Sequence, residues 1–222
     1  MIYLFTGTPG SGKSLHMARI IRNRLQAGKP VIANFDCRLE MIRRKEPKFL
    51  QIQNTELAKG PQCLEQYALS YWGDNPRKEG ALWVFIDEAQ LLFNARTWSA
   101  KGRDSWIRFF TLHRKLGYDI FLISQYDLML DKQLRSLVEY QYIHRKVSNF
   151  GIGGKIISFL TGGSLFCAVK MWYPMQQRIS SEFFRYRKKL GRFFDTYQVF
   201  DTVDARAEDR KRSALTSDNR TV

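Results

Sequence analysis

The chain has 222 residues, 44% hydrophobic and 26% charged, with a formal charge of +15 and a pI near 9.9. That is the composition of a soluble globular protein long enough to bury a sizeable core, in one large or two small domains. Cys37, Cys63 and Cys167 are odd in number and lack a C-x-x-C pair, which argues against a disulfide framework or a zinc site and for a reducing compartment. The excess of cations suits an anionic partner, whether nucleic acid, an acidic protein or the negatively charged face of a membrane, and composition alone does not choose among them.

The first element is a short apolar run, Ile2-Tyr3-Leu4-Phe5, with β character. It leads directly into Gly7-Thr8-Pro9-Gly10-Ser11-Gly12-Lys13-Ser14, the complete G-x-x-x-x-G-K-[ST] phosphate-loop pattern. Apolar residues at Leu15, Ala18, Ile21 and Leu25 then keep helical spacing. A loop between a strand's end and a helix's start presents backbone N–H groups and the positive end of a helix dipole to a phosphate. The glycines let the main chain curl around the β-phosphate, Lys13 reaches the β/γ oxygens, and the Ser14 hydroxyl completes a Mg²⁺ coordination sphere. The strand at the very start leaves no room for a signal peptide.

Gly28-Lys29-Pro30 breaks the helix, and Val31-Ile32-Ala33-Asn34 reads as a second buried strand. Residues 37–46 suit a short basic helix ended by Pro47, 49–53 a weak strand, and 55–72 a helix interrupted at Gly60-Pro61. Leu82-Trp83-Val84-Phe85-Ile86 is the strongest strand signal and ends in Asp87-Glu88. A parallel sheet would set this strand beside the loop strand, with both acids at its carboxyl end, where ligands bind. Asp87 is suited to hold Mg²⁺ and Glu88 to polarise the water that attacks the γ-phosphate. On its own the pair could be an acidic turn; its placement after a phosphate loop makes it catalytic.

Residues 103–116 are helical in spacing, and Asp119–Ser124 is another buried strand. Its tip carries Gln125, a candidate to bond the γ-phosphate or the attacking water. Residues 131–139 suit a short helix. Arginines that stabilise charge on a transferred phosphoryl group often come from a neighbouring subunit. Arg96, Arg103, Arg114 and Arg135 fall in loops or helix ends, with Arg114 and Arg135 the preferred candidates, although each also has an ordinary surface reading. His16, His113 and His144 show no mutual metal spacing, and His16 reads as a packed or exposed residue.

Past residue 140 the character changes. Tyr140–Val147, Lys155–Leu160 and Leu165–Tyr173 read as antiparallel strands separated by glycines, and the stretch Ile156–Pro174 as a hairpin too broken to span a bilayer. Residues 181–194, with Phe183, Phe184, Tyr186, Phe193 and Phe194 among arginines and lysines, read as a helix that could stack on bases, lie on a membrane or cover the sheet. The expected fold is α/β: a P-loop NTPase with a mainly parallel sheet flanked by helices and a small antiparallel β-hairpin extension. The expected divisions are an ATPase core over 1–139, an extension over 140–203 and a disordered polar tail over 204–222.

Beyond the generic motifs, the chain resembles the zonula occludens toxin family, and within it the gene I assembly proteins of filamentous phages. The resemblance is carried by Val31–Asn34, Phe85–Glu88, Asn94-Ala95-Arg96-Thr97-Trp98, the block from His113 to Ile120 continuing through Gln125 to Asp131–Ser136, and Asp195–Thr202. It implies a membrane-associated, ring-forming ATPase of the additional-strand class that uses ATP and Mg²⁺ to drive assembly and extrusion of a filamentous virion. Implied partners are other copies of the chain, phage coat protein and the phage single-stranded-DNA complex, with direct nucleic-acid contact open. The implied location is the cytoplasmic face of the host inner membrane, reached through an anchor that these residues lack. The rival readings are a translocase that packages DNA into a preformed capsid, sharing the same site, and a non-hydrolysing nucleotide-dependent scaffold. A small-molecule kinase ranks below both, for want of a lid segment.

Overall fold

The computed structural model describes residues 1–96, 100–160, 162 and 165–194. In β1 (Ile2–Thr6) the side chains alternate: Ile2 and Leu4 enter one buried cluster and Phe5 the other, so both faces of the strand are covered. The same two-sided burial holds for β2 (Val31–Ala33), β4 (Leu82–Ile86) and β5 (Tyr118–Ile123). Near-continuous apolar runs of this kind are what a parallel sheet with helices on both faces requires.

One face is covered by α1 (Lys13–Gln26), through Met17, Ala18, Ile21 and Leu25. The other is covered by α3 (Gln62–Trp72), through Leu64, Ala68 and Trp72, and by α4 (Ala100–Leu112), through Trp106, Phe109 and Phe110. With β3 (Phe49–Gln51), β6 (Tyr140–Lys146), β7 (Leu165–Trp172) and β8 (Gln177–Arg185), the strands form a single eight-stranded sheet of order β3-β2-β4-β5-β1-β6-β7-β8. The pairings from β3 across to β6 are parallel, and β7 and β8 are added antiparallel. The short helices α2 (Asn54–Leu57) and α5 (Lys132–Ser136) link strands. The helix α6 (Gly151–Leu160) lies between β6 and β7, and α7 (Lys188–Phe193) returns to α1, with Phe193 and Phe194 buried on the α1 face. The α/β expectation is borne out.

Four local expectations are corrected. Lys155–Leu160 is helix, not strand. Both edges of β6 are already taken by β1 and β7, so the segment that links them finds no free edge on its neighbour, whereas a helix satisfies its own backbone. Residues 181–185 are strand, not helix. They close the edge of β7 in the register Phe166↔Phe184 and Cys167↔Phe183, and the period-two alternation buries Phe184 and exposes Phe183. Residues 37–46 form only a 3-10 turn, Leu39–Met41. The run Arg43–Glu46 offers no apolar face to hold a longer helix. Finally, β4 does not lie beside β1, because β5 pairs with both and separates them. Asp195–Thr202, the tail and Thr97-Trp98 lie outside the described residues.

Candidate functional site

The parallel strands bring the phosphate loop, Asp87-Glu88 and Gln125 to the carboxyl edge of the sheet. Because β5 runs between β1 and β4, Gln125 stands between the loop and the acidic pair. Its carbonyl accepts a 3.1 Å hydrogen bond from the N–H of Gly7, which ties the loop's first residue to the tip of β5.

The loop's backbone is fixed by close packing. At Gly12, φ is +95° and a Cβ would sit 2.7 Å from the Phe166 ring of β7. At Gly7, φ is +143° and a Cβ would meet the His144 carbonyl oxygen at 2.5 Å. Only glycine fits either place. No side chain caps the first turn of α1, whose N-cap is Gly12 itself. The Ser11 hydroxyl is buried without a hydrogen-bond partner. An uncapped helix start and an orphaned buried hydroxyl on a glycine-framed loop fit a bound phosphate.

Lys13 folds back over the loop, donating to the carbonyls of Gly7 and Thr8 at 2.5 and 3.3 Å. Burial pushes its pKa down, while the charges of Asp87 and Glu88 pull it up. Burial drives the Asp87 carboxyl up to about 6. The N–H of Glu88 opposes that shift, the Glu88 charge adds to it, and the Lys13 charge opposes it. A carboxylate taken from water in this way gains from a nearby cation. With the hydroxyl of Ser14 in the first turn of α1, the oxygen-only donor set suits Mg²⁺, which takes few protein ligands and completes its shell with phosphate and water.

Two residues that sequence reasoning missed, Asn34 and Gln90, hold the acidic pair. Asn34, at the end of β2, clamps the Asp87 backbone. Its Oδ1 accepts from the Asp87 N–H at 2.7 Å, and its Nδ2 donates to the Asp87 carbonyl at 2.9 Å and to Asn54 Oδ1 at 2.7 Å. Glu88 sits in the left-handed region at φ 47°, and its N–H bonds Asp87 Oδ1 at 2.9 Å. Left-handed backbone at a non-glycine residue costs energy and often marks a working site. Gln90, largely buried, donates through Nε2 to Glu88 Oε2, and its own Oε1 has no partner. An asparagine that ends a buried strand was the available signal for Asn34. Nothing in the sequence marks Gln90, because its role depends on the turn after β4.

His16 and His144 meet beneath the loop, with Nδ1 of His16 2.8 Å from Nε2 of His144. His144 Nδ1 lies 3.1 Å from the Thr6 carbonyl, which can only accept, so Nδ1 carries that ring's proton and Nε2 accepts from His16. Burial drives both rings down to about 3. Glu182 Oε2, 3.4 Å from His16 Nε2, favours a charged ring, but Arg19 bonds the same carboxylate and neutralises it. His16 is therefore a packed, neutral residue between Phe5 and Phe184.

The candidate arginines lie apart from this cluster. Arg114 follows α4 near the opposite, amino edge and pairs with Glu139 at 2.6 Å. Arg135 in α5 donates to the Leu130 carbonyl at 3.1 Å, and Arg103 pairs with Asp131 at 2.8 Å. None of the three is brought to the loop within one protomer.

Residues 1–188 match the family described as zonular occludens toxin (Zot). The Gene 1 protein of Enterobacteria phage M13 is 30% identical over 217 residues, covering 90% of this chain and 60% of the relative, so the chain spans about three-fifths of that protein. Among solved structures, the N-terminal domain of zonular occludens toxin from Neisseria meningitidis superposes with TM-score 0.51 at 22% identity, covering 87% of this chain and 98% of that one. The genome packaging NTPase B204 from Sulfolobus turreted icosahedral virus 2, in complex with AMPPCP, gives 0.52 at 14%, covering 84% and 97%. At these identities the structural likeness shows the fold, that of the P-loop NTPases. The resemblance carried by the motifs is borne out: the chain belongs to the zonular occludens toxin family.

Proposed function

We propose that the chain is the ATP-hydrolysing motor domain of a machine that assembles and extrudes filamentous phage. The observation that carries this reading is the placement of Asp87 and Glu88 at the sheet edge that also holds the phosphate loop, with Gln125 between them. The triphosphate would lie on the loop from Gly7 to Ser14, where Lys13 exchanges the Gly7 and Thr8 carbonyls for β/γ oxygens. Ser14 and Asp87 would hold Mg²⁺, which, when bound, neutralises charge developing on the phosphates. Glu88, steadied by Gln90, accepts a proton from the attacking water. Gln125 orients that water or the γ-phosphate. An arginine from the next protomer, Arg135 or Arg114 by the sequence reading, completes the charge stabilisation in a homo-oligomeric ring.

The Gene 1 relatives support the assembly role. The division into a core over 1–139 and an extension over 140–203 stays part of the proposal, with β6 still parallel to β1 and antiparallel pairing starting only at β7. Coat protein, the single-stranded-DNA complex and the host inner membrane are the partners this role requires. The packaging NTPase neighbour favours one alternative, a DNA-packaging translocase using the same site.

The test is ATP turnover per protomer over a wide protein concentration range, with Glu88→Gln as control. Turnover that rises steeply with concentration and vanishes in the variant, while ATP binding persists, supports the shared-site motor. Binding without turnover above the variant's background would replace it with a nucleotide-dependent scaffold. Strong stimulation by DNA of either strandedness would favour the translocase.

A further inference from the structure

The tip of the β6–β7 hairpin is built unlike the rest of the surface. Thr6↔Ile143 is the last pair between β1 and β6, so β6 runs on past the end of β1 through Arg145 and Lys146 and reaches α6 at the carboxyl edge. This helix seats itself on the 3-10 turn Val147–Asn149 through Gly154, where a Cβ would meet the Val147 carbonyl at 2.3 Å. Its other faces carry Ile152 (80% exposed), Ile156 (57%), Phe159 (87%) and Leu160 (77%). Large apolar side chains exposed together on one short helix mark an interaction site.

The charge around the helix says what covers it. From Tyr140 to Phe194 the only carboxylate in the sequence is Glu182, against lysine or arginine at ten positions. Glu182 is engaged by Arg19. The register Leu165↔Arg185 brings the end of β8 to the same edge as α6, and there Phe183 (62% exposed) and Tyr186 (50%) stand close in sequence to Arg185 and Arg187. Apolar side chains framed by cations, with Phe183 and the amphipathic Tyr186 beside them, match an anionic bilayer surface. A second copy of this face would bring like charges together. A nucleic acid would gain little from Ile152, Ile156 and Leu160, which offer no ring to stack on.

We propose that α6, with the basic edge formed by Arg145, Lys146, Arg185 and Arg187, is a lipid-docking surface that lies in the interface of an anionic membrane. At ten residues the helix is about 15 Å long, too short to span and suited to lying in the headgroup plane. Phe166, which follows α6 at the start of β7, packs against Gly12, so the docked edge adjoins the phosphate loop. The surface does not depend on hydrolysis and goes beyond the motor reading.

The test is flotation of the full chain, without nucleotide, with phosphatidylethanolamine–phosphatidylglycerol vesicles and with neutral phosphatidylcholine vesicles. Wild type is expected to float with the anionic vesicles only. The Ile156→Ser/Phe159→Ser variant is expected to lose roughly tenfold or more of that partitioning. Arg185→Glu/Arg187→Glu is expected to weaken it in the same direction. Unchanged binding of a fluorescent ATP analogue shows that each variant is folded. The proposal is overturned if wild type does not float, floats equally with neutral vesicles, or if the serine variant floats as wild type does. It is also overturned if the serine variant instead loses binding to a single-stranded oligonucleotide or loses concentration-dependent self-association. Failure here leaves ATP turnover untouched, and failure of turnover leaves the flotation result standing.

Discussion

Asn34→Ala removes a residue that touches neither phosphate nor water in the proposed mechanism, yet it should disable the site. Asn34 makes three side-chain hydrogen bonds, two of them to the backbone N–H and carbonyl of Asp87. Alanine leaves both Asp87 groups without these partners. An orphaned backbone group costs about 1–3 kcal/mol when dry. The two hydrogen bonds from Asn34 are part-buried, so the low end applies twice, for about 2–3 kcal/mol in all. For a chain of this length that lowers Tm by roughly 5–10 °C. Turnover should fall further than stability suggests, by roughly ten- to a hundredfold, because the Asp87 carboxylate loses its fixed position. Binding of ATP without Mg²⁺ should change little, since the loop from Gly7 to Ser14 is untouched. Differential scanning fluorimetry and a coupled ATPase assay read the two effects. Asn34→Asp keeps the acceptor, loses both donations and adds a negative charge beside Asp87 and Glu88, so its turnover should be no better. An Asn34→Ala protein that melts within about 1 °C of wild type and turns over ATP at the wild-type rate would refute the clamp.

Gly12→Ala combines a left-handed backbone, which costs an alanine about 1–2 kcal/mol, with a Cβ 2.7 Å from the Phe166 ring. It should lower Tm and weaken ATP binding by roughly tenfold or more, and adding Phe166→Ala should restore part of the stability but not all, as thermal melts and a binding titration would show. The His16–His144 pair predicts a pH dependence of stability. Both folded-state pKa values lie near 3, below the ordinary 6.5, so above pH 6.5 neither ring weakens the fold. As pH falls below 6.5 the unfolded chain binds protons that the folded chain refuses. Stability then drops by about 1.4 kcal/mol per pH unit for each ring, or roughly 4 kcal/mol for the pair between pH 7 and 5. The groups facing the pair are Glu182 and Arg19 at His16 and Lys13 at His144. Denaturant melts of wild type and His144→Gln across that range check it: the variant should lose about half the slope, and an unaltered slope would place the acid sensitivity elsewhere.

The proposed nucleotide site was legible from residues alone because its chemistry is local. Eight consecutive residues make the phosphate loop, and a buried strand ending in Asp87-Glu88 can only deliver those acids to one edge of a parallel sheet. The long apolar strands were equally plain, since burial on both faces leaves near-continuous runs such as Leu82–Ile86. What the sequence could not decide were matters of pairing and neighbourhood. The insertion of β5 between β1 and β4 depends on which strand edges meet, and strand composition is the same for either neighbour. Residues 155–160 and 181–185 exchanged their expected states because free edges, not local preference, determine which segment becomes strand. The Asn34 clamp spans 53 residues and the histidine contact 128, separations over which no spacing pattern speaks. Chain-local chemistry therefore pointed to a phosphate ligand, and only the tertiary structure decided what holds the acidic pair in place and which apolar helix is left facing outward.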